Sequence, residues 1–152
     1  MKCTVKSAKQ VQNKQTWFVL AVCTTPPPTL RMHTWLRPGG TLLIADHCCS
    51  ASTPPSEGLR AHMQRHAYDL RTADAYVALL RDAGFVDVVV EDRTWQLQGS
   101  LERELALLQA SRASLVGEFG EEVCDALENE WRDALGRVGA GEQRWVVLVA
   151  RA

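Results

Sequence analysis

The stretch Trp35-Leu-Arg-Pro-Gly-Gly-Thr-Leu-Leu-Ile-Ala-Asp46 constrains the fold more than any other part of the chain. Pro38 cannot continue a helix, because it lacks an N–H donor and its ring clashes with the preceding turn. Gly39 and Gly40 accept positive φ at little steric cost, so a tight turn is expected there. Thr41 to Ala45 is then a short apolar run of the kind that fits a strand buried on both faces. The reading is helix, turn, strand, with Asp46 at the strand tip. In open α/β sheets the ligand crevice lies just beyond the carboxyl ends of strands. That makes Asp46, His47, Cys48 and Cys49 the first candidates for chemistry. Upstream of Gly39 the chain has no glycine, and hence no cofactor-cradling loop.

With 152 residues, 46% of them hydrophobic and 23% charged, the chain suits one domain with an ordinary core. A formal net charge of −1 gives no reason to expect nucleic acid or an anionic membrane as partner. No apolar run approaches the ~20 residues of a membrane helix. Five cysteines (Cys3, Cys23, Cys48, Cys49 and Cys124) at irregular spacing argue for reduced thiols and a cytoplasmic setting.

All four lysines lie at or before Lys14, every later basic residue is arginine, and the first acidic residue is Asp46. This break divides the chain into residues 1–29, an unrelated or poorly ordered segment, and residues 30–152. A targeting segment and a mistranslated junction on a truncated domain are the two explanations, and truncation is preferred.

Trp17 to Cys23 reads as a short strand or helical turn running into Pro26-Pro27-Pro28. Leu30 to Leu36 reads as a helix packing Leu30 and Trp35, and Glu57 to His66 as a second helix. Thr72 caps a helix running to Ala83, with Tyr76, Val77, Leu79, Leu80 and Ala83 inward and Gly84 closing it. Phe85 to Val90 is rich in β-branched residues and is the next strand. Leu101, Leu105, Leu108 and Leu115 mark one amphipathic helix. Phe119, Val123, Leu127, Trp131, Leu135 and Val138 mark another at three-to-four spacing. Trp145 to Ala150 is a terminal strand. Alternation of this kind predicts an α/β sheet.

His47, His62 and His66, with Cys48 or Cys49, are conceivable zinc ligands, but no diagnostic metal-binding spacing is present and no metal is expected. Cys48 or Cys49 activated by His47 is a conceivable nucleophile, against the plainer reading of a small apolar filler. Arg65 and Tyr68, near His62 and His66, have the planar fork and the hydroxyl that suit phosphate oxygens. A solvated helix face explains them equally well.

Five pieces together resemble the C-terminal part of S-adenosylmethionine-dependent methyltransferases, most closely the phosphoethanolamine N-methyltransferases. They are Trp35 to Asp46, Gln64-Arg65 with Tyr68-Asp69-Leu70, Asp82-Ala-Gly-Phe-Val-Asp-Val88, Glu91-Asp-Arg-Thr94 and Gly141-Glu-Gln-Arg-Trp145. The resemblance spans residues 30–152. It implies the C-terminal half of a Rossmann-like class I methyltransferase sheet with flanking helices. It also implies transfer of methyl groups from S-adenosylmethionine to phosphoethanolamine, and a phosphate held by His47, His62, Arg65 and Tyr68. His47 and His62 stand where the family usually has tyrosine. His66-Ala67 makes the spacing to Tyr68 one residue longer, and Ala134 replaces an expected basic residue. No catalytic or cofactor-binding residue is assigned, because the family's cofactor loop belongs to a half with no counterpart here. The expected partner is a phosphorylated small amine, with self-association or pairing with a missing methyltransferase half. The alternatives are a non-catalytic α/β interaction module and a methyltransferase half for another small amine.

Overall fold

The computed structural model describes residues 16–19 and 29–152. The elements in chain order are β1 (Thr16–Val19), α1 (Thr29–Trp35), β2 (Thr41–Cys49), α2 (Glu57–His66) and α3 (Ala73–Asp82). There follow β3 (Val86–Asp92), α4 (Thr94–Ala110), α5 (Arg112–Phe119), α6 (Glu121–Gly139) and β4 (Gln143–Arg151). The strands form one sheet in the order β1-β2-β4-β3. β1 runs parallel to β2, and β4 is antiparallel to both β2 and β3. The terminal strand therefore inserts, reversed, between two strands that precede it. Of the sequence before residue 29, the described part is β1; the rest, including the Pro26-Pro27-Pro28 linker, lies outside the described residues.

The Pro38-Gly39-Gly40 turn forms as expected, with Gly39 at φ 75°. Gly39 N–H donates to the Ala152 carbonyl at 2.7 Å and Ala152 N–H to the Gly40 carbonyl at 2.9 Å, pinning the turn to the end of β4. A Cβ on Gly40 would lie 2.9 Å from the Arg37 carbonyl oxygen, so the close approach itself requires glycine.

β2 is longer than its apolar run. Pairing with β4 continues from Thr41↔Arg151 to Cys49↔Gln143, so Asp46, His47, Cys48 and Cys49 are strand residues, not residues beyond its tip. Burial also alternates along it, where two covered faces were expected. Leu42, Ile44, Asp46 and Cys48 face the core, and Leu43, Ala45 and His47 are half-buried. Four backbone ladder positions beyond Ala45 thus outweigh the polarity of their side chains.

The main core joins Leu42, Ile44 and Cys48 of β2 with Val146, Leu148 and Ala150 of β4, and α3 lays Tyr76, Leu80 and Ala83 across them. The α3 cap is as expected, since Thr72 Oγ1 accepts from Ala75 N–H at 3.2 Å. Phe85 lies buried just ahead of β3. Burying each such large apolar side chain is worth roughly 1.5–3 kcal/mol.

Three expectations fail. Trp35 is 64% exposed, and Met32 fills the core from α1 instead. The leucines from Leu101 to Leu115 divide between α4 and α5, which meet at Ser111, and of them Leu108 is buried. The stripe expected on the last helix holds only in its second half: Phe119 ends α5 and Val123 and Leu127 are exposed, with Cys124 and Glu128 buried in their place, whereas Trp131 and Leu135 are half-buried and Val138 is buried as expected. Glu128 compensates its burial with bonds from Gln109 and Arg132 at 2.9 and 2.5 Å. A polar contact between α4 and α6 therefore selects the buried face. Among the described residues no helix is long and apolar enough to cross a membrane.

Candidate anion site at the ends of β2, β4 and α2

Glu142, Gln143 and Trp145 organise the site. Glu142 accepts the Ser56 hydroxyl at 2.7 Å, and Ser56 in turn caps α2 by accepting Leu59 N–H at 3.1 Å. Trp145 N–H donates to Thr94 Oγ1 at 3.1 Å and its carbonyl accepts Arg93 N–H at 2.8 Å. Its ring meets that of His47 edge-on, with centroids 4.7 Å apart. Gln143, 6% exposed, connects His47 Nδ1 at 3.2 Å with Arg137 Nε at 3.0 Å. Two motifs distant in sequence, Glu91 to Thr94 and Gly141 to Trp145, thus adjoin beside His47.

Arg137 comes from α6, and its side chain is 11% exposed. Burial pulls its pKa down from the ordinary arginine value, while Glu130 and Asp133 act in the opposite direction. Its guanidinium lies 3.9 Å from Glu130 Oε1. The same carboxylate stands 3.1 Å from His62 Nδ1, 3.4 Å from Arg65 and 3.8 Å from His66. Sequence reading found neither Arg137 nor Glu130. A cation within an apolar helix stripe was the available signal, masked because the stripe was read as facing the core.

Tyr68 reaches this cluster through a left-handed turn. Ala67 adopts φ 53° and ψ 41°, Ala67 N–H donates to Gln64 O at 3.3 Å, and Tyr68 N–H donates to Met63 O at 2.9 Å. This pair of bonds is the Schellman arrangement, with alanine where glycine is usual. It accommodates the longer His66-Ala67 spacing and folds Tyr68 back, its ring centroid 5.6 Å from that of His62 and 5.3 Å from that of His66. A shallow hollow of about 440 Å³ opens beside Tyr68, lined also by Arg60, Met63, Gln64 and Asp69. His62, Arg65 and Tyr68 thus gather around one end of α2, and His47 is linked to them through Gln143, Arg137 and Glu130.

Burial lowers the pKa of His47, with Asp46 partly opposing and Arg137 reinforcing the shift. Burial, then Arg137, lowers that of His62, against the pull of Glu130. Both imidazoles are therefore neutral donors or acceptors near neutral pH. Burial pushes the Cys48 thiol up to about 12, and Cys49 is raised for the same reason. Neither is a thiolate nucleophile, and Cys49 instead donates to the Leu70 carbonyl at 3.4 Å. Nor does His47 gather with Cys48 or Cys49 into a metal-ligating group among the described residues: Cys48 points to the core face and His47 to the other, and Cys49 Sγ is turned to the Leu70 carbonyl.

No family model matches the chain. Over 116 residues it is 43% identical to phosphoethanolamine N-methyltransferase 1 of Triticum aestivum, covering 76% of this chain and 23% of that protein. Over 133 residues it is 35% identical to phosphoethanolamine N-methyltransferase 3 of Arabidopsis thaliana, covering 88% and 27%. This chain resembles part of the phosphoethanolamine N-methyltransferases. It spans about a quarter of the length of these curated relatives. Its fold superimposes with a TM-score of 0.79, at 20% identity, on phosphoethanolamine N-methyltransferase 2 of Haemonchus contortus in complex with phosphomonomethylethanolamine and S-adenosylhomocysteine. That match covers 88% of this chain and 33% of the other. The described residues have the fold of part of a class I methyltransferase domain, as the sequence led us to expect.

Proposed function

We propose that this chain is the phosphate-holding part of an S-adenosylmethionine-dependent N-methyltransferase acting on phosphoethanolamine or its methylated forms. The observation that carries the reading is the chain of contacts that joins His47 through Gln143, Arg137 and Glu130 to His62 and Arg65, with Tyr68 packed against His62. Arg65 and Arg137 supply positive charge, and the imidazole and phenol groups supply hydrogen bonds to phosphate oxygens. Glu130 holds both guanidiniums while no anion is bound, and a phosphate competes with it for them. The similarity to the named plant enzymes supports the substrate class.

The described residues do not fit the methyl donor. Their two strand-to-helix connections of β2 and β3, residues 50–56 and Arg93, contain no glycine. A nucleotide-like cofactor is ordinarily received at such a turn by a glycine-rich loop and the following helix N-terminus. In this reading the donor is held by residues other than those described, and methyl transfer requires a polypeptide that holds it. What this chain contributes is position: a fixed phosphate sets where the amine stands, and placement is the main demand of such a transfer.

The test is to titrate the purified chain with phosphoethanolamine and, separately, with ethanolamine. Saturable binding of the phosphorylated amine alone supports the reading, and equal or absent responses overturn it.

A second reading, association with another polypeptide, is favoured by the exposure of Trp95, Leu107 and Phe119. Size-exclusion chromatography with light scattering separates it, because a monodisperse monomer at high concentration contradicts association of the chain with itself.

A further inference from the structure

His62 and His66 stand one turn apart on α2, with ring centroids 4.6 Å apart. Glu130 approaches both from α6. Its Oε1 lies 3.1 Å from His62 Nδ1 and 3.8 Å from His66 Nε2, and the three donor atoms fall within 4.8 Å of one another. His62 is 9% exposed, and its Nδ1 has no solvent contact and no hydrogen-bond partner. The glutamate oxygen is near enough to bond but out of line. An orphaned imidazole nitrogen in a buried position costs roughly 1–3 kcal/mol and calls for a ligand that would satisfy it.

We propose that His62 Nδ1, His66 Nε2 and Glu130 Oε1 form a divalent-metal site of the zinc type, which shares His62 and Glu130 with the anion network above but is argued from its own donor geometry. Two imidazole nitrogens and one carboxylate oxygen are a common zinc donor set, completed tetrahedrally by water. Ligand bonds of about 2.0–2.2 Å at tetrahedral angles separate donor atoms by about 3.3 Å. The observed 3.1 and 3.8 Å bracket that value, so a small rotation of the half-exposed His66 completes the geometry. His66 and Glu130 side chains are 38% and 33% exposed, which gives an ion a path in and a water-filled fourth position.

The surrounding charge permits a cation. Arg65 contacts the other oxygen of Glu130, and Arg137 has only a 3.9 Å contact with Oε1, which an ion would displace. Asp133 and Glu142 both act on Arg137 and offset its charge. An ion bound here would cross-link α2 to α6 and so stabilise the folded chain.

The experiment is competition for Zn²⁺ between the metal-free full chain and a chromophoric chelator, with Co²⁺ absorption as a report on ligand type. Because His62 is buried and its replacement also perturbs folding, His66→Asn and Glu130→Gln carry the test. We expect a single Zn²⁺ per chain, affinity reduced at least about tenfold in each variant, and a rise in Tm with Zn²⁺ that both variants lose. Failure to bind, or binding unchanged in both variants, overturns the proposal. A sulfur-to-cobalt charge-transfer band overturns it too, because it would place the ion on cysteines.

Discussion

Arg137 Nε donates to the Gln143 side-chain carbonyl at 3.0 Å, and this bond fixes which way the Gln143 amide points. Its NH₂ group must then face His47 Nδ1, 3.2 Å away, which accepts. The neutral imidazole therefore carries its proton on Nε2. His47 offers a donor at that atom, as a phosphate oxygen requires.

Replacing Gln143 by leucine removes both bonds and leaves a buried guanidinium nitrogen and a half-buried imidazole nitrogen unsatisfied. A loss of about 1–3 kcal/mol is expected from urea unfolding. Gln143→Glu keeps an acceptor for Arg137 but presents an acceptor to His47. The His47 tautomer should then shift towards Nδ1–H, read from its ¹⁵N chemical shifts.

The pH dependence has a definite sign. Burial lowers the folded-state pKa of His47 below its ordinary 6.5, with Asp46 opposing and Arg137 reinforcing. Below pH 6.5 the unfolded chain binds a proton at this residue that the folded chain resists. The associated stability is therefore full above pH 6.5 and is lost as pH falls through the folded value. In chelator-treated protein, Tm should fall between pH 7.5 and 5.5 less steeply in His47→Asn than in the parent. Equal slopes would contradict the assignment.

Ala67 occupies the left-handed region at φ 53°, where a Cβ costs about 1–2 kcal/mol. Ala67→Gly relieves that cost and returns part of it as unfolded-chain entropy. The net expectation is stabilisation by roughly 0.5–1 kcal/mol, with Tyr68 still against His62. Destabilisation would mean that the turn is not formed as described.

The two faces of the helices should respond oppositely to truncation. Leu80 is fully buried, and Leu80→Ala should cost about 2–5 kcal/mol. Leu127 is 43% exposed, and Leu127→Ser should change stability by less than about 1 kcal/mol. The apolar spacing of the last helix alone would have ranked the two alike.

The sequence made the elements legible wherever local chemistry decides them. Thr72, Gly84 and the Pro38-Gly39-Gly40 turn carry their own stereochemical instructions, and α3 and the turn before β2 formed accordingly. It failed where a partner decides. The extension of β2 to Cys49 depends on pairing with Gln143, nearly a hundred residues away, and side chains such as His47 do not announce it. The buried face of α6 depends on Gln109 and Arg112 reaching Glu128. For the site, His47, His62 and Arg65 lie on one polar network with Tyr68 packed against His62, whereas Glu130 and Arg137, which join them, were invisible and Gln143 was legible only as part of the Gly141 to Trp145 motif. Their roles arise from tertiary approach of α6 to α2 and β4.

The most direct measurement is a histidine-resolved NMR titration of the chain with phosphocholine, a methylated product whose phosphate is the same group. The account predicts saturable shifts of His47 and His62 together, with His33, which packs on Phe85, unmoved. Arg137→Met should abolish those shifts while leaving the fold intact by circular dichroism. Undisturbed His47 and His62 signals at millimolar phosphocholine, in a folded sample, would contradict it.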